Sequence, residues 1–370
     1  MKFSVKNAEL SSKLTSVARN VAKSGSNPAL GGILVELSEG RLSLSSTDGN
    51  KSLRVPVHID GPHEGNGKAL LPGRLFSDIS RLLGAGQVEF EYRTAERDVE
   101  LRSGSSNFHI RTLSGEDFPP LPEPGEETVS LGREALLETI ELVARAASSD
   151  DMRPVLTSVQ VLASGSEMTM VATDSYRLAV KKTALATPVP VELDKNVPAQ
   201  ALNELSRLLS GSDTEAVRLT VTDRDVIFEV DGAVLSTTTV DGQFPNYQQL
   251  FPETYDHDVR LPRNELLESV KRVSQMAQKN RPLKISLSPG ELTISAETPD
   301  LGDAEEKLPA SFEGDELSIG FNHEFFRAGI EAIKGDEVML RVISPLRPGL
   351  LQPVDDDDFR YLVMPIRLNE

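Results

Sequence analysis

The chain has 370 residues, a net charge of −18 and no cysteine, which excludes disulfides, thiolate metal sites and cysteine nucleophiles and fits a reducing compartment. Its length allows two or three domains, each with a core of its own. The acidic total argues against a simple nucleic-acid binder, which needs positive surface, and no run of about 18 apolar residues offers a membrane span.

The opening residues, Met1-Lys2-Phe3-Ser4-Val5, are strand-like and lack the apolar centre of a signal peptide, so a soluble cytoplasmic protein is expected. A strand over 2–5 precedes an amphipathic helix over 7–21, and alternating runs come next at 32–37, 41–46 and 52–59. The pattern then recurs: a strand over 68–71, a helix over 72–83, and runs at 87–92, 98–102 and 107–112. Glycine-rich turns such as Glu39-Gly40, Asp231-Gly232 and Pro289-Gly290 separate the runs, which predicts hairpins and antiparallel sheets. With two helices for every eight strands, both helices can cover one sheet face.

The block is itself repeated. Leu136, Ile140, Val143 and Arg145 stand 126 residues after Leu10, Leu14, Val17 and Arg19. At the same offset Thr173-Asp174 matches Thr47-Asp48, Arg207-Leu208-Leu209 matches Arg81-Leu82-Leu83, and Phe244-Pro245 matches Phe118-Pro119. A third copy has drifted: Leu266, Val270 and Val273 lie 130 after Leu136, Ile140 and Val143. A period this long is a domain rather than a solenoid unit. The expected class is α+β, with three tandem domains at 1–126, 127–253 and 254–370, each made of two β-α-β-β-β units. Proline-rich stretches at 119–125 and 251–254, which cannot continue a ladder, serve as linkers.

Residues that could carry chemistry are sparse. His58, His63, His109, His257 and His323 show no spacing that puts two ligands on one helix face, so no metal and no cofactor are expected. Gly65-Asn66-Gly67-Lys68 lacks the Ser or Thr of a phosphate loop and reads as a turn, and the acidic run 355–358 reads as a solvated loop. Enzymatic activity is therefore not expected. Thr47-Asp48 and Thr173-Asp174 read as one turn used twice, with Asp accepting from backbone N–H groups. The residues after the turn differ, Gly49-Asn50-Lys51-Ser52 in one copy and Ser175-Tyr176-Arg177-Leu178 in the other. Charge is also segregated: residues 262–284 carry a net +4 in an acidic chain. Taken singly, each of those cations reads first as part of an ordinary solvated helix face.

Three motifs, Val171-Ala172-Thr173-Asp174-Ser175-Tyr176-Arg177-Leu178-Ala179, Asp241-Gly242-Gln243-Phe244-Pro245-Asn246-Tyr247 and Met364-Pro365-Ile366-Arg367-Leu368, occur in this order on the threefold repeat. With them the chain resembles the β sliding clamps of bacterial DNA polymerase III over its whole length. Ser344-Pro345-Leu346-Arg347-Pro348-Gly349 resembles a loop that several such clamps carry before the last strand.

The resemblance implies a head-to-tail homodimer closing as a ring around duplex DNA, helices inside and antiparallel sheets outside. Its implied partners are the replicative polymerase, the clamp loader, and repair and translesion polymerases. Carried over to this sequence, the family's peptide groove between the second and third domains comprises Leu156, Thr173, Ser175, Tyr176, Arg177, Leu178, Pro245, Leu250, Leu346, Pro348, Leu362, Met364, Pro365, Ile366, Arg367 and Leu368. The DNA-lining cations it implies are Arg19, Lys23, Arg74, Arg153, Arg272, Lys279 and Arg281. The implied subunit contact joins Phe108 to Ser274, Gln275 and Met276. Ser24, Gln249 and Ser274-Gln275-Met276 depart from residues common in the family.

Overall fold

A computed structural model describes residues 1–370 apart from 23–26, 127, 191, 278–280 and 369–370. The first repeat contains β1 (Lys2–Lys6), α1 (Asn7–Ala18), β2 (Gly32–Ser38), β3 (Arg41–Thr47) and β4 (Lys51–Val57), then β5 (Gly67–Pro72), α2 (Gly73–Leu82), β6 (Gln87–Arg93), β7 (Asp98–Ser103) and β8 (Ser106–Arg111). The second contains β9 (Val129–Gly132), α3 (Arg133–Val143), β10 (Ser158–Ser164), β11 (Glu167–Thr173) and β12 (Arg177–Ala184), then β13 (Leu193–Pro198), α4 (Ala199–Ser210), β14 (Ala216–Val221), β15 (Asp225–Val230) and β16 (Ala233–Thr238). The third contains β17 (His257–Pro262), α5 (Arg263–Val273), β18 (Leu283–Ser288), β19 (Glu291–Thr298) and β20 (Gly302–Pro309), then β21 (Leu317–Phe321), α6 (His323–Ala332), β22 (Glu337–Val342), β23 (Gly349–Gln352), β24 (Phe359–Val363) and β25 (Pro365–Ile366). Each repeat is thus two β-α-β-β-β units, and the last one ends in an extra strand.

Two expected ends move inward. α1 stops at Ala18 rather than continuing to Val21: Asn20 donates its N–H to Val17 O and Ala22 donates to Leu30 O, so the chain has already left the helix. β4 stops at Val57 because the His58 N–H is taken by the Glu9 carboxylate instead of a strand neighbour.

The strands do not respect the repeat boundaries, and the molecule has two compact units. The first comprises Met1–Arg133 and Arg207–Thr239. It holds a four-stranded sheet, β1-β6-β7-β8, and an eight-stranded sheet, β5-β2-β3-β4-β16-β15-β14-β9. The second comprises Glu134–Ser206 and Val240–Glu370. It holds a five-stranded sheet, β20-β19-β18-β21-β25, and an eight-stranded sheet, β13-β10-β11-β12-β24-β23-β22-β17. Each eight-stranded sheet is two half-sheets from successive repeats sewn at one seam, β4 to β16 or β12 to β24, both antiparallel. Periodicity predicts strands but says nothing about which strand pairs across a boundary.

Alternation places the core between helices and sheets. α1 buries Leu10, Leu14 and Val17, packing beside α2 and on β3 and β4, while α5 buries Leu266, Val270 and Val273, packing beside α6 and on β19 and β20. The last turn of α2 leaves carbonyls without helical partners. Asn7, the first residue of α1, donates its side-chain amide to Ser80 O at 3.1 Å and Leu83 O at 2.9 Å and so ties the two helices together. Among the described residues no helix is long and apolar enough to cross a membrane.

A candidate peptide groove at the seam of β12 and β24

The seam of the second unit begins in a hydrogen-bonded turn. Asp174 Oδ1 accepts from Tyr176 N at 2.9 Å and Arg177 N at 3.0 Å, while Thr173 Oγ1 accepts from Ser175 N and donates to Arg177 O at 2.6 Å. The first unit repeats this network: Asp48 Oδ1 accepts from Asn50 N and Lys51 N, and Thr47 Oγ1 accepts from Gly49 N and donates to Lys51 O. The twice-used turn read from sequence is therefore present at both places.

Here the copies diverge. The third turn residue has φ +100° at Gly49 and φ +80° at Ser175. A side chain in that conformation costs on the order of 1 kcal/mol or more. Ser175 bears that cost, and its Oγ accepts from Arg153 NH1 at 3.0 Å while Arg153 Nε donates to Asp150 at 3.1 Å. Arg153, expected among DNA-lining cations, is thus held at the turn that leads into β12.

Past the turn, Leu178 pairs with Leu362 across the seam. Both are buried and join Val171, Val180, Phe244 and Leu350 in one apolar cluster, against which Val155, Tyr247, Phe251 and Tyr255 pack from its edge. Leu156 is buried on the 3-10 turn Pro154–Thr157, whereas Pro245, Leu250 and Leu346 are exposed. The expected residues thus supply a buried apolar floor and an exposed apolar margin.

The far side is fixed by the chain end. In isolation residues 361–368 read as a plain edge strand interrupted by a proline. Instead, β24 lies in mid-sheet between β12 and β23, and after Met364 the chain crosses to the edge of the other sheet as β25, paired to β21. Proline lacks an N–H for a central ladder, and the break at 364–365 places it on an edge. Met364 is the hinge between the two strands. Its N–H donates to Tyr176 O at 2.8 Å, and its side chain is half-buried.

Aromatic and cationic groups complete the wall. The Arg177 guanidinium lies 4.5 Å above the Phe325 ring and donates through Nε to Asp174 Oδ2 at 2.9 Å, and Tyr176 stacks at 6.4 Å on the same ring. Asn322 caps α6 by accepting from Glu324 N and Phe325 N, which sets the position of Phe325. Behind them the Tyr361 ring is fully buried, and burial holds its hydroxyl above the ordinary phenol value. Sequence reading missed Phe325, Phe244, Leu350 and Val155. Phe244 was legible as the counterpart of Phe118, but nothing in the pattern tied α6 to β12.

The remaining expected residues are scattered. Arg19 is the exposed C-cap residue of α1 and Arg74 is exposed in the first turn of α2. Lys23 and Lys279 lie outside the described residues. Arg272 is engaged by the Glu306 carboxylate through Nε at 2.6 Å and NH2 at 2.7 Å. Hydrogen bonds from Arg272 and Ser269 hold the Glu306 pKa down to about 2. Arg281 lines a concavity on the five-stranded sheet with Lys284 and Arg367. Phe108 is partly exposed on β8, the outermost strand of the four-stranded sheet. Ser274 is buried and Gln275 exposed, while Met276 O accepts from Thr298 Oγ1 at 2.7 Å.

Comparison with known proteins places this geometry. The N-terminal, central and C-terminal domain models of the DNA polymerase III beta subunit match residues 1–122, 130–246 and 248–367 in that order. The chain is 33% identical to the beta sliding clamp of Streptomyces coelicolor and 32% identical to that of Synechococcus elongatus, in each case over 100% of both chains. Among solved structures it is similar to the Bacillus subtilis DNA polymerase sliding clamp (27% identity, TM-score 0.92) and to the Pseudomonas aeruginosa sliding clamp bound to griselimycin (27%, TM-score 0.91), each covered over 100% of both chains. Three clamp domains in order, with identity above 30% from end to end, mean that the chain belongs to the β sliding clamp family, the β subunits of DNA polymerase III.

Proposed function

We propose that this protein is a cytoplasmic processivity clamp, whose two copies close head to tail around duplex DNA and whose groove at the β12–β24 seam captures a short peptide of the replicative polymerase. The same groove serves the clamp loader and the repair and translesion polymerases in turn. The observation that carries the reading is the apolar cluster of Leu178 and Leu362 edged by half-buried Val155, Tyr247 and Phe251, with Met364 bonded to the turn beside it. An unbranched thioether adapts to different guests, which suits a site with several partners. Tethering brings polymerase to primer end at roughly millimolar effective concentration, so such a clamp raises processivity without a catalytic group.

The ring reading draws on the sheet edges. β8 and β20 are outermost strands of the smaller sheets, and an open edge is a template for another strand. β8 carries Arg111, whereas β20 carries Asp303, Glu305 and Glu306 against the single Lys307, so one protomer's β8 and its partner's β20 are complementary in charge. Three repeats per protomer, bounded near 126 and 253, give six in the ring. Arg19, Lys23, Arg74 and Lys279 are the phosphate contacts of this reading. Arg153 and Arg272 have local carboxylate partners and contribute less.

The test loads the protein onto nicked circular DNA. Retention in high salt, then loss when the circle is cut, is the expected outcome, since plain phosphate binding weakens with salt on both forms. Retention on linear DNA with free ends, or no topological retention on circles, overturns encirclement and favours a scaffold that binds only proteins. In parallel, Met364→Ala with Leu178→Ala loses polymerase binding while the dimer persists. Unchanged affinity removes the groove.

A further inference from the structure

The five-stranded sheet buries Leu283, Ile285, Leu287, Ile294 and Ile319 on one face. Its other face forms a concavity of about 1520 Å3. Its lining includes Leu346, Ile366, Arg367 and Leu368, four of the residues that the groove reading assigns to the peptide site.

Its charges are sorted. Lys284, Gly320 and Ile366 stand in one row across β18, β21 and β25. Glycine is required at 320: a Cβ there would lie 2.6 Å from Ile366 O and 2.9 Å from Leu368 Cδ2. The bare backbone lets the chain end pair closely against β21, and Arg367, the residue after Ile366, lines the same concavity as Lys284. Arg281, Lys284 and Arg367 are all exposed, and none of their side chains has a hydrogen bond or ion pair among the described residues. The carboxylates lie elsewhere. Glu305 is two strands from Lys284 with Ser295 between them, about 10 Å at the usual strand spacing, which is close to a Debye length. Asp303 and Glu297 pair with each other on those same two strands, and Glu316 lies four residues along the chain from Gly320 of β21. Beside the groove the surface is cationic, and further out it is anionic.

We propose that the cationic side of this concavity receives an acidic flank of the partner peptide, consecutive Asp or Glu residues adjoining the apolar anchor in the groove. This rests on the groove reading above and adds a charge rule to it. The apolar floor supplies affinity for any leucine- or phenylalanine-bearing segment. Arg281, Lys284 and Arg367 then select among such segments by what adjoins them.

Fluorescence anisotropy on the full-length protein tests it with labelled peptides built on one Leu-Phe anchor. One has neutral flanks, one has three aspartates before the anchor, and one has three aspartates after it. One of the acidic peptides binds about tenfold tighter than the neutral one, a gain on the scale of a few exposed ion pairs. Lys284→Glu removes most of that gain and leaves the neutral peptide's affinity unchanged, and raising the ionic strength removes it as well. If the neutral peptide binds and neither acidic flank tightens it, the charge rule is wrong while the groove stands. A gain that survives Lys284→Glu assigns the acidic flank to another surface and also overturns the rule. A neutral peptide that fails to bind, or that binds equally well to Leu178→Ala, takes down the groove and with it this inference.

Discussion

At the seam of β4 and β16, Ser52 Oγ lies 2.6 Å from Ser236 Oγ. At the seam of β12 and β24 the equivalent partners are Leu178 and Leu362. The backbones correspond closely: Thr238 N donates to Asn50 O at 2.8 Å in one, and Met364 N to Tyr176 O at 2.8 Å in the other. Over the serine seam, Arg54 holds Glu123 in two hydrogen bonds, at positions whose counterparts 126 residues later are Val180 and Gln249. The first seam thus carries paired polar groups, and the second carries an apolar cluster edged by half-buried Val155, Tyr247 and Phe251. Duplication supplied the scaffold twice. Side chains at a few positions decide which copy can take a peptide.

The strongest way to break the comparison is to write the first seam's chemistry into the second. Leu362→Ser removes a fully buried side chain and strands a hydroxyl, so it lowers stability by about 3–5 kcal/mol in denaturant unfolding, along with loss of peptide binding. A change below about 1 kcal/mol would mean that Leu362 is not part of the core. In the other direction, Ser52→Ala leaves the buried Ser236 hydroxyl without its partner and costs about 1–3 kcal/mol, whereas Ser52→Ala with Ser236→Ala costs much less than twice that. Additive costs in this cycle would deny that the two hydroxyls act as a pair.

Exchanging the third turn residue sharpens the contrast at lower energy. Ser175→Gly gains about 1 kcal/mol from relieved backbone strain, less what the Arg153 contact returns, and Gly49→Ser loses a similar amount. Equal and negligible shifts would show that the turn tolerates either residue. The smallest effect concerns acid. Glu306 has its folded pKa lowered from 4.5 to about 2, so its pairing with Arg272 stabilises the fold fully above pH 4.5 and is lost as pH falls toward 2. In Arg272→Ala that part of the acid sensitivity disappears and stability above pH 4.5 falls by the same amount, which is small because the arginine is largely exposed. Glu123 at the serine seam shifts in the same direction through Arg54, so the corresponding Arg54→Ala variant gives the matched control in acid unfolding.

Much of this was legible in the sequence. The 126-residue offset revealed the repeat, period-two runs located nearly every strand of the first repeat to within two residues, and Thr-Asp marked the turn with its acceptor. The same subtraction already aligned Ser52 with Leu178. What it lacked was the other half of each seam, because Ser236 and Leu362 meet their partners 184 residues away and local pattern carries no information at that range. Pro365 looked like an interruption of one strand, whereas it marks a change of sheet, which depends on where β21 lies. Arg153 and Arg272 looked like free cations because their carboxylates, Asp150 and Glu306, become neighbours only once a turn and a strand have formed.

That 184-residue separation also bears on how the chain is made. Ribosomes add roughly 5–20 residues per second, so β4 is finished on the order of ten seconds or more before β16 exists. Throughout that interval a half-built sheet presents an unpaired edge to the cell, and contacts of such long range form slowly even in a complete chain. Crowded, fast-growing cultures should therefore place a heavier chaperone demand on this protein than its size suggests.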